Sequence, residues 1–307
     1  MNTLPKLIVV EGTNASGKSG LGVELAKRYN GEIISADSRQ VFRGYDLGSG
    51  KITPEEMQGV PHHLIDVCNS NEFFSMHDFQ RLAYRAIDDI LARGKLPFLV
   101  GGTGLYVESV TQGYIMSDRA PDLAYRDELE KLSTPELYAM LLEKVPDVDV
   151  DAKNRNRVMR MLEKLHDGDT HLPRSQARYN CLKLGVSWPR EILKSRIDER
   201  LERRMRQGMV DEVRALLDGG ATVEFMYKLG LEYRFITQYI TGEIPTEEEM
   251  VEQLGLAIKR FAKRQMTWFR RDKEIHWLSM AADPLSEACA LVEAFLNDPN
   301  ENNGGNV

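Results

Sequence analysis

The stretch Gly12-Thr13-Asn14-Ala15-Ser16-Gly17-Lys18-Ser19 lies between the apolar run Leu7-Ile-Val-Val10 and the helical pattern Leu21–Lys27. Strand, glycine loop and helix in this order satisfy G-x-x-x-x-G-K-S/T at every fixed position. Glycines let the backbone curl so that successive N–H groups converge on one anion, and the helix N-terminus adds partial positive charge. Residues Gly12, Thr13, Asn14, Ala15, Ser16 and Gly17 would form the cradle, Lys18 would bring a full charge to a phosphate, and Ser19 would offer a hydroxyl to Mg2+. By itself the motif points to ATP, its commonest ligand.

The pattern around the loop sets the fold class. Glu32–Ala36 reads as a short second strand ending at Asp37-Ser-Arg-Gln40, and His62–Asp66 as a compact strand or turn. Ser75–Arg93 has apolar residues at helical spacing, Leu96–Val100 is a further buried strand, and Gly101-Gly-Thr-Gly-Leu-Tyr106 follows it. Strands alternating with helices predict a P-loop NTPase-like α/β core, a parallel sheet flanked by helices. Ligands of such sheets bind beyond the carboxyl ends of the strands, so the loop, Asp37 and Thr103 are expected in one crevice.

Residues 117–180 have another texture. Pro121–Leu142 and Asp151–Leu165 read as helices rich in Leu, Glu, Lys and Arg, without strand candidates, and predict a helical insertion domain. Strand texture returns at Cys181–Trp188, followed by helical patterns over Arg190–Leu217 and Glu247–Arg271. The expected core is therefore 1–116 with 181–299. The tail 300–307 has almost no apolar content and is expected to be disordered.

At 307 residues with 42% hydrophobic and 28% charged residues, the chain has the make-up of a globular protein in water. No apolar run approaches the roughly 18 residues of a membrane span. Met1–Lys6 leads directly into the first strand, so no secretory leader is expected. Cys68, Cys181 and Cys289 have no metal-type spacing and read as reduced thiols of a cytoplasmic protein, expected to be a monomer. The adjacent His62 and His63 lack the i,i+4 spacing of a helical zinc pair and read as packing or local hydrogen-bonding groups.

The net charge of −7 conceals a strong segregation. Lys153–Lys164 carries +4, Arg190–Arg206 +3 and Lys259–Lys273 +6, which leaves −20 on the remainder. Local fields rather than net charge hold a polyanion, so these segments predict a nucleic-acid surface. In the last segment Arg260, Lys263, Arg264, Thr267, Arg270 and Arg271 share a helix face, whereas Ala257, Phe261, Gln265 and Trp268 read as packing.

A carboxylate at Asp37, at a strand end, can ligate a metal or take a proton. A second acidic strand end of the kind phosphoryl transfer uses is missing, since Leu99-Val100 runs into Gly-Gly-Thr-Gly. The ordered set Gly12–Ser19, Ser35–Gln40, His62–Asp66, Gly94-Lys-Leu-Pro97, Gly101–Tyr106 and Lys259–Arg270 resembles the tRNA dimethylallyltransferase (isopentenyltransferase) family over residues 6–278. The resemblance implies prenyl transfer from dimethylallyl diphosphate to N6 of the adenosine 3′-adjacent to the anticodon, with Mg2+ as cofactor. It also accounts for the missing carboxylate, because diphosphate would be the leaving group. By family position Asp37 is the base, Thr103 contacts the substrates at the reaction centre, and Arg190 is the arginine tied to catalysis. The same resemblance implies tRNA contacts at Asp37, Ser38, Arg39 and Gln40, at Thr103, at Arg126 in the insertion, and at the helix start Asn156, Arg157, Val158, Met159 and Arg160. Lys263 and Arg264 on the basic face form a third contact.

Two stretches depart from the family pattern. The basic helix starts Asn154-Arg-Asn-Arg157, and the usual Gly-Tyr-Lys/Arg-Glu reads Gly230-Leu-Glu-Tyr-Arg234. Both are expected to be RNA-facing or peripheral. Three other readings stay open: an adenylate isopentenyltransferase acting on free nucleotide, a nucleotide kinase or P-loop binding module, and a catalytically retired RNA-binding protein. The basic segments favour RNA over a free nucleotide, and retention of Lys18, Ser19, Asp37 and Thr103 argues against a retired enzyme.

Overall fold

The computed structural model describes residues 4–116, 122–148, 150–168 and 174–298. The chain divides into two compact units, 1–113 with 177–307, and 114–176.

The first unit begins with β1 (Lys6–Gly12), α1 (Lys18–Arg28), β2 (Gly31–Ala36), the single turn α2 (Pro54–Met57) and β3 (His62–His63). Then come α3 (Met76–Ala92), β4 (Leu96–Gly101) and α4 (Gly104–Thr111). The second unit holds β5 (Tyr114–Ile115), α5 (Leu123–Glu130), α6 (Thr134–Lys144), α7 (Arg155–His166) and β6 (Arg174–Ser175). The chain then returns to the first unit with β7 (Asn180–Ser187), α8 (Arg190–Arg206), α9 (Met209–Asp218) and α10 (Val223–Leu229). It ends with α11 (Leu231–Ile240), α12 (Glu247–Phe269), β8 (His276–Ser279) and α13 (Pro284–Asn297).

Six strands form one parallel sheet in the order β3-β2-β4-β1-β7-β8. Strands this buried read as continuous apolar runs because helices cover both faces. Side chains alternate across the sheet. Ile8, Val10, Phe98, Val100 and Leu184 pack with Leu21 and Leu25 of α1 and Val292 of α13. Leu7, Val9, Ile34 and Leu99 pack on the other face with Phe79 and Ile87 of α3 and Val107 and Val110 of α4. A further core joins Tyr45 to Ile197, Leu201, Tyr233, Ile236 and Leu254, drawn from α8, α11 and α12.

The structure departs from the expected elements in a few places. The pattern Arg190–Leu217 is two helices, because Gly208 sits at φ 94° between them, a conformation that ends one helix and starts another. α4, α10, α11, β8 and α13 escaped the sequence reading. β8 is four residues long at the edge of the sheet, with only Leu278 buried, which leaves no periodic signal. The second unit starts at 114 rather than 117 and ends at 176 rather than 180. Tyr114–Ile115 pairs antiparallel with Arg174–Ser175 there, although no strand was expected in that segment. Its core is Leu129, Leu137, Leu141, Val158, Met159 and Leu162. Residues 300–307 lie outside the described residues.

Candidate active site

β1, β4 and β2 end side by side, and the loops that follow them carry the glycine loop, Gly102-Thr103 and Asp37. A pocket there is lined by Lys18, Ser19, Ser35, Asp37, Gln40, Ile52, His62, Val100 and Gly101. The parallel sheet therefore brings Lys18, Ser19 and Asp37 together, as the strand order requires.

The glycine loop is held from outside. Ala15 has a left-handed φ of 58°, strained for a residue with a Cβ, and Arg196 Nε donates to its carbonyl at 3.0 Å. Trp188 Nε1 donates to the next carbonyl, Ser16 O, at 3.0 Å, and the Arg196 guanidinium lies 4.8 Å from the Trp188 ring centre. Gln265 ties two loops together: its Oε1 accepts from Asn14 N at 3.0 Å and its Nε2 donates to Gly102 O at 2.8 Å. The Asn14 amide is therefore committed to Gln265. Ser16 Oγ and Asn14 Oδ1 are buried without a partner among the described residues, which marks the inside of the loop as a place for a ligand. Lys18 Nζ makes a long contact to Thr13 O at 3.4 Å. Burial pushes the Lys18 pKa down to about 8, with the Asp37 carboxylate opposing and Arg200 and Arg204 adding to the fall.

Asp37 Oδ1 accepts from Arg39 N at 2.9 Å and Gln40 N at 3.4 Å. That turn fixes the carboxylate at the mouth of the pocket, and Oδ2 has no partner among the described residues. Thr103 Oγ1 accepts from Ser38 N at 3.1 Å and lies 3.4 Å from Ser38 Oγ, so Thr103 and Ser38 are joined. Gln40 Oε1 accepts from Ser35 Oγ and its Nε2 donates to Gly50 O. Arg39 reaches the Leu229 carbonyl and is half-buried. Its guanidinium thus serves the fold at least as much as a substrate.

The sequence reading missed Arg200 and Arg204. Ile197, Arg200, Leu201 and Arg204 follow i, i+3, i+4, i+7, the spacing of a buried stripe, and two arginines in such a stripe are the signal. Both guanidinium tips lie against Gly50, where a Cβ would come within 1.6 Å of Arg204 and 2.2 Å of Arg200. With Asn14, Ala15, Leu201, Met209, Glu232 and Ile258 they line a second pocket on the other flank of the glycine loop. Arg190, expected at the reaction centre, is the exposed first residue of α8. Ten residues before Arg200 along the helix, it lies about 15 Å away.

The stretch Gly230–Arg234, expected to be RNA-facing or peripheral, is instead partly internal, since Glu232 is 7% exposed in that second pocket and Tyr233 is fully buried. His62 lines the first pocket and hydrogen-bonds Val60 O, and burial lowers its pKa. His63 pairs with the buried Glu32, which Arg93 and Lys95 also neutralise. Lys263 and Arg264 are exposed on α12, with the Arg264 guanidinium 5.6 Å from the Phe261 ring centre.

Residues 40–272 match the IPP transferase family. The chain belongs to that family. It is 44% identical over 294 residues to tRNA dimethylallyltransferase 2 of Shewanella sediminis, covering 93% of this chain and 97% of that protein. It is 37% identical to tRNA dimethylallyltransferase of Oceanobacillus iheyensis, over 95% of this chain and 96% of that one. The full-length tRNA isopentenylpyrophosphate transferase of Bacillus halodurans superposes with a TM-score of 0.72 at 38% identity, over 95% of both chains. A eukaryotic dimethylallyltransferase acting on tRNA shares the fold, with a TM-score of 0.79 at 24% identity over 95% of this chain and 79% of that one.

The second unit carries the other sequence-assigned residues. Asn156, Arg157 and Arg160 are exposed at the start of α7, but Val158 and Met159 are 0% and 4% exposed and pack into the unit's core. A surface helix must bury one stripe, and Val158 and Met159 are part of that of α7, so their side chains are withdrawn from the surface where an RNA contact was expected. Arg126 lies 3.4 Å from the buried Glu163 and 3.6 Å from Glu130. Arg160 also pairs with Glu163, at 3.1 Å. Arg126 is thus a partly exposed cation braced on α5 and α7.

Proposed function

We propose that this chain transfers a dimethylallyl group from dimethylallyl diphosphate to N6 of the adenosine 3′-adjacent to the anticodon of a tRNA, releasing diphosphate. The observation that carries the reading is the single pocket holding Lys18, Ser19 and Asp37 at the strand ends. The names of the relatives favour a tRNA acceptor over a free nucleotide.

The adenine amine is a weak nucleophile because its lone pair is delocalised into the ring. Asp37, pinned through Oδ1, keeps Oδ2 for the amine and takes its proton as the N6–C bond forms and the carbon–oxygen bond to diphosphate breaks. Lys18, Arg200 and the loop amides receive the charge that develops on the departing diphosphate. Thr103, fixed on Ser38, positions the reacting groups between them.

The oxygen donors Ser19 and Asp37 suit a hard cation such as Mg2+, which takes few protein ligands and shares the phosphates. Ser19 would hold it. When bound, the ion supplies further neutralisation of the leaving group.

The exposed cations of α7 and α12 bind the phosphates of the stem-loop, and the target base leaves its stack to be reached. The protein acts as a single chain in the cytoplasm, where Cys68, Cys181 and Cys289 remain free thiols.

The test is incubation with dimethylallyl diphosphate, Mg2+ and unmodified tRNA, followed by digestion and mass analysis for prenylated adenosine. Asp37→Ala is expected to abolish transfer while stem-loop binding stays within about tenfold of wild type, ~1.4 kcal/mol. Near-normal turnover by that variant would remove Asp37 as the base.

A further inference from the structure

The second pocket, on the α8 side of the glycine loop, holds an unusual charge arrangement. Arg200 and Arg204, both half-buried, share the face of α8 that carries the buried Ile197 and Leu201. Neither makes a hydrogen bond or an ion pair among the described residues. Their neighbours on the same helix behave differently: Arg206 pairs with Glu202 at the surface and Arg196 holds Ala15 O. Desolvating a guanidinium without a partner is costly, and two together repel each other. Burial presses the pKa of both arginines down, and Arg204 adds to the fall at Arg200. Lys18 is close enough to feel both. Three cations therefore face the glycine loop.

Glu232 opposes them across the pocket. It is 7% exposed and lines the same cavity, yet lies beyond the 4 Å ion-pair distance from either arginine. Its charge acts on both, as the largest opposing influence at each. A carboxylate and two unpaired guanidinium groups line one cavity beside Asn14 and Ala15, so an anion held in the glycine loop is drawn by the arginines and repelled by the carboxylate.

We infer that Arg204 is a further ligand of the diphosphate group, with Glu232 as a counter-charge that weakens the hold on the anion once it has formed. The inference rests on the prenyl-transfer reading above, which calls on Lys18, Arg200, the loop amides and a cation at Ser19 but not on Arg204. Arg204 adds a second planar donor fork to the leaving group. Glu232 keeps the empty pocket from carrying three uncompensated charges and favours release of the product.

The experiment is calorimetric titration of inorganic pyrophosphate, with Mg2+ present, into the full chain and its Arg204→Met, Arg204→Lys and Glu232→Gln variants. R204M keeps the length of the side chain and removes the donors, and should weaken binding about tenfold or more, the usual loss for a charged hydrogen bond. R204K should recover part of that loss. E232Q should bind pyrophosphate severalfold more tightly than wild type. Melting curves check that each variant folds, and Arg204→Gln replaces R204M if the latter melts early. Affinity within about twofold of wild type in a folded R204M or R204Q variant overturns the role of Arg204. Weaker binding by E232Q overturns the role of Glu232. Failure of the wild-type protein to bind pyrophosphate defeats the diphosphate cradle itself and therefore both readings, a result distinct from an unaffected variant.

Discussion

At the scale of single residues, burial sets the chemistry of two ionisable groups beside the glycine loop. Lys18 must be charged to hold an anion, and its pKa in the free protein is lowered to about 8, first by burial. An anion in the loop favours the ammonium form, so anion binding above that pH requires proton uptake. Pyrophosphate affinity is expected to hold steady below pH 8 and to fall as the pH rises from 8 towards 10, read by titration in buffers of matched ionic strength. A pH-independent affinity over that range would place the charged group elsewhere. Glu11, one residue before the loop, is 3% exposed with Oε1 unpartnered among the described residues. Burial, then Asp272, pushes its pKa up to about 8, against the pull of Lys183. The folded state therefore binds a proton that the unfolded chain releases near pH 4.5. The stability this contributes is present at pH 4.5 and below and is lost as the pH climbs to 8. Glu11→Gln removes the titration, so its Tm should gain on wild type as the pH rises from 5 to 8.5. The gain should be at least about 2 °C, the shift expected for ~1 kcal/mol in a chain this large.

At the scale of elements, α12 serves two purposes on different faces. Its exposed face carries Lys263 and Arg264, and its buried face carries Gln265, which joins the loops after β1 and β4. Gln265→Leu strands the Asn14 amide and the Gly102 carbonyl. A cost of about 1–3 kcal/mol is expected. It should show as slower prenyl transfer with unchanged stem-loop binding. Lys263→Ala and Arg264→Ala should do the reverse, leaving transfer at saturating RNA near normal and each lowering the salt slope of RNA binding by about one. The helical pattern of α12 was legible from residue 247 to about 271, but amphipathic spacing does not distinguish a buried glutamine that packs from one that bridges two backbones. The same limit applies on α8, where a basic segment was legible and its division into solvated and inward-facing arginines was not. On α7 the pattern was readable in principle. Val158, Met159 and Leu162 follow the spacing of a core stripe, and all three are buried.

At the scale of the whole molecule, the charge is divided between an acidic remainder and three basic segments. If these segments hold phosphates, the logarithm of stem-loop affinity falls steeply and linearly with the logarithm of salt concentration. A flat response in a filter-binding titration from low to moderate salt would remove them from the interface. The sequence by itself determined the α/β class, because long apolar runs, a glycine loop and helical spacings are local patterns. It also predicted that the glycine loop, Asp37 and Thr103 would meet at one edge, because parallel strands carry their loops there; Lys18, Ser19 and Asp37 share the pocket, whereas Thr103 does not line it and is joined to Ser38. Only the tertiary structure decided which cations face the glycine loop. Arg190 and Arg200 belong to one basic segment, and the choice between them depends on which side of α8 packs against α9 and α12. Likewise Glu232 is one acidic residue among many until α8 and α11 both pack on α12 and α9 and put it in one pocket with Arg200 and Arg204. Local pattern carries the period of an element, whereas the partner each face meets is a long-range contact that the period does not encode.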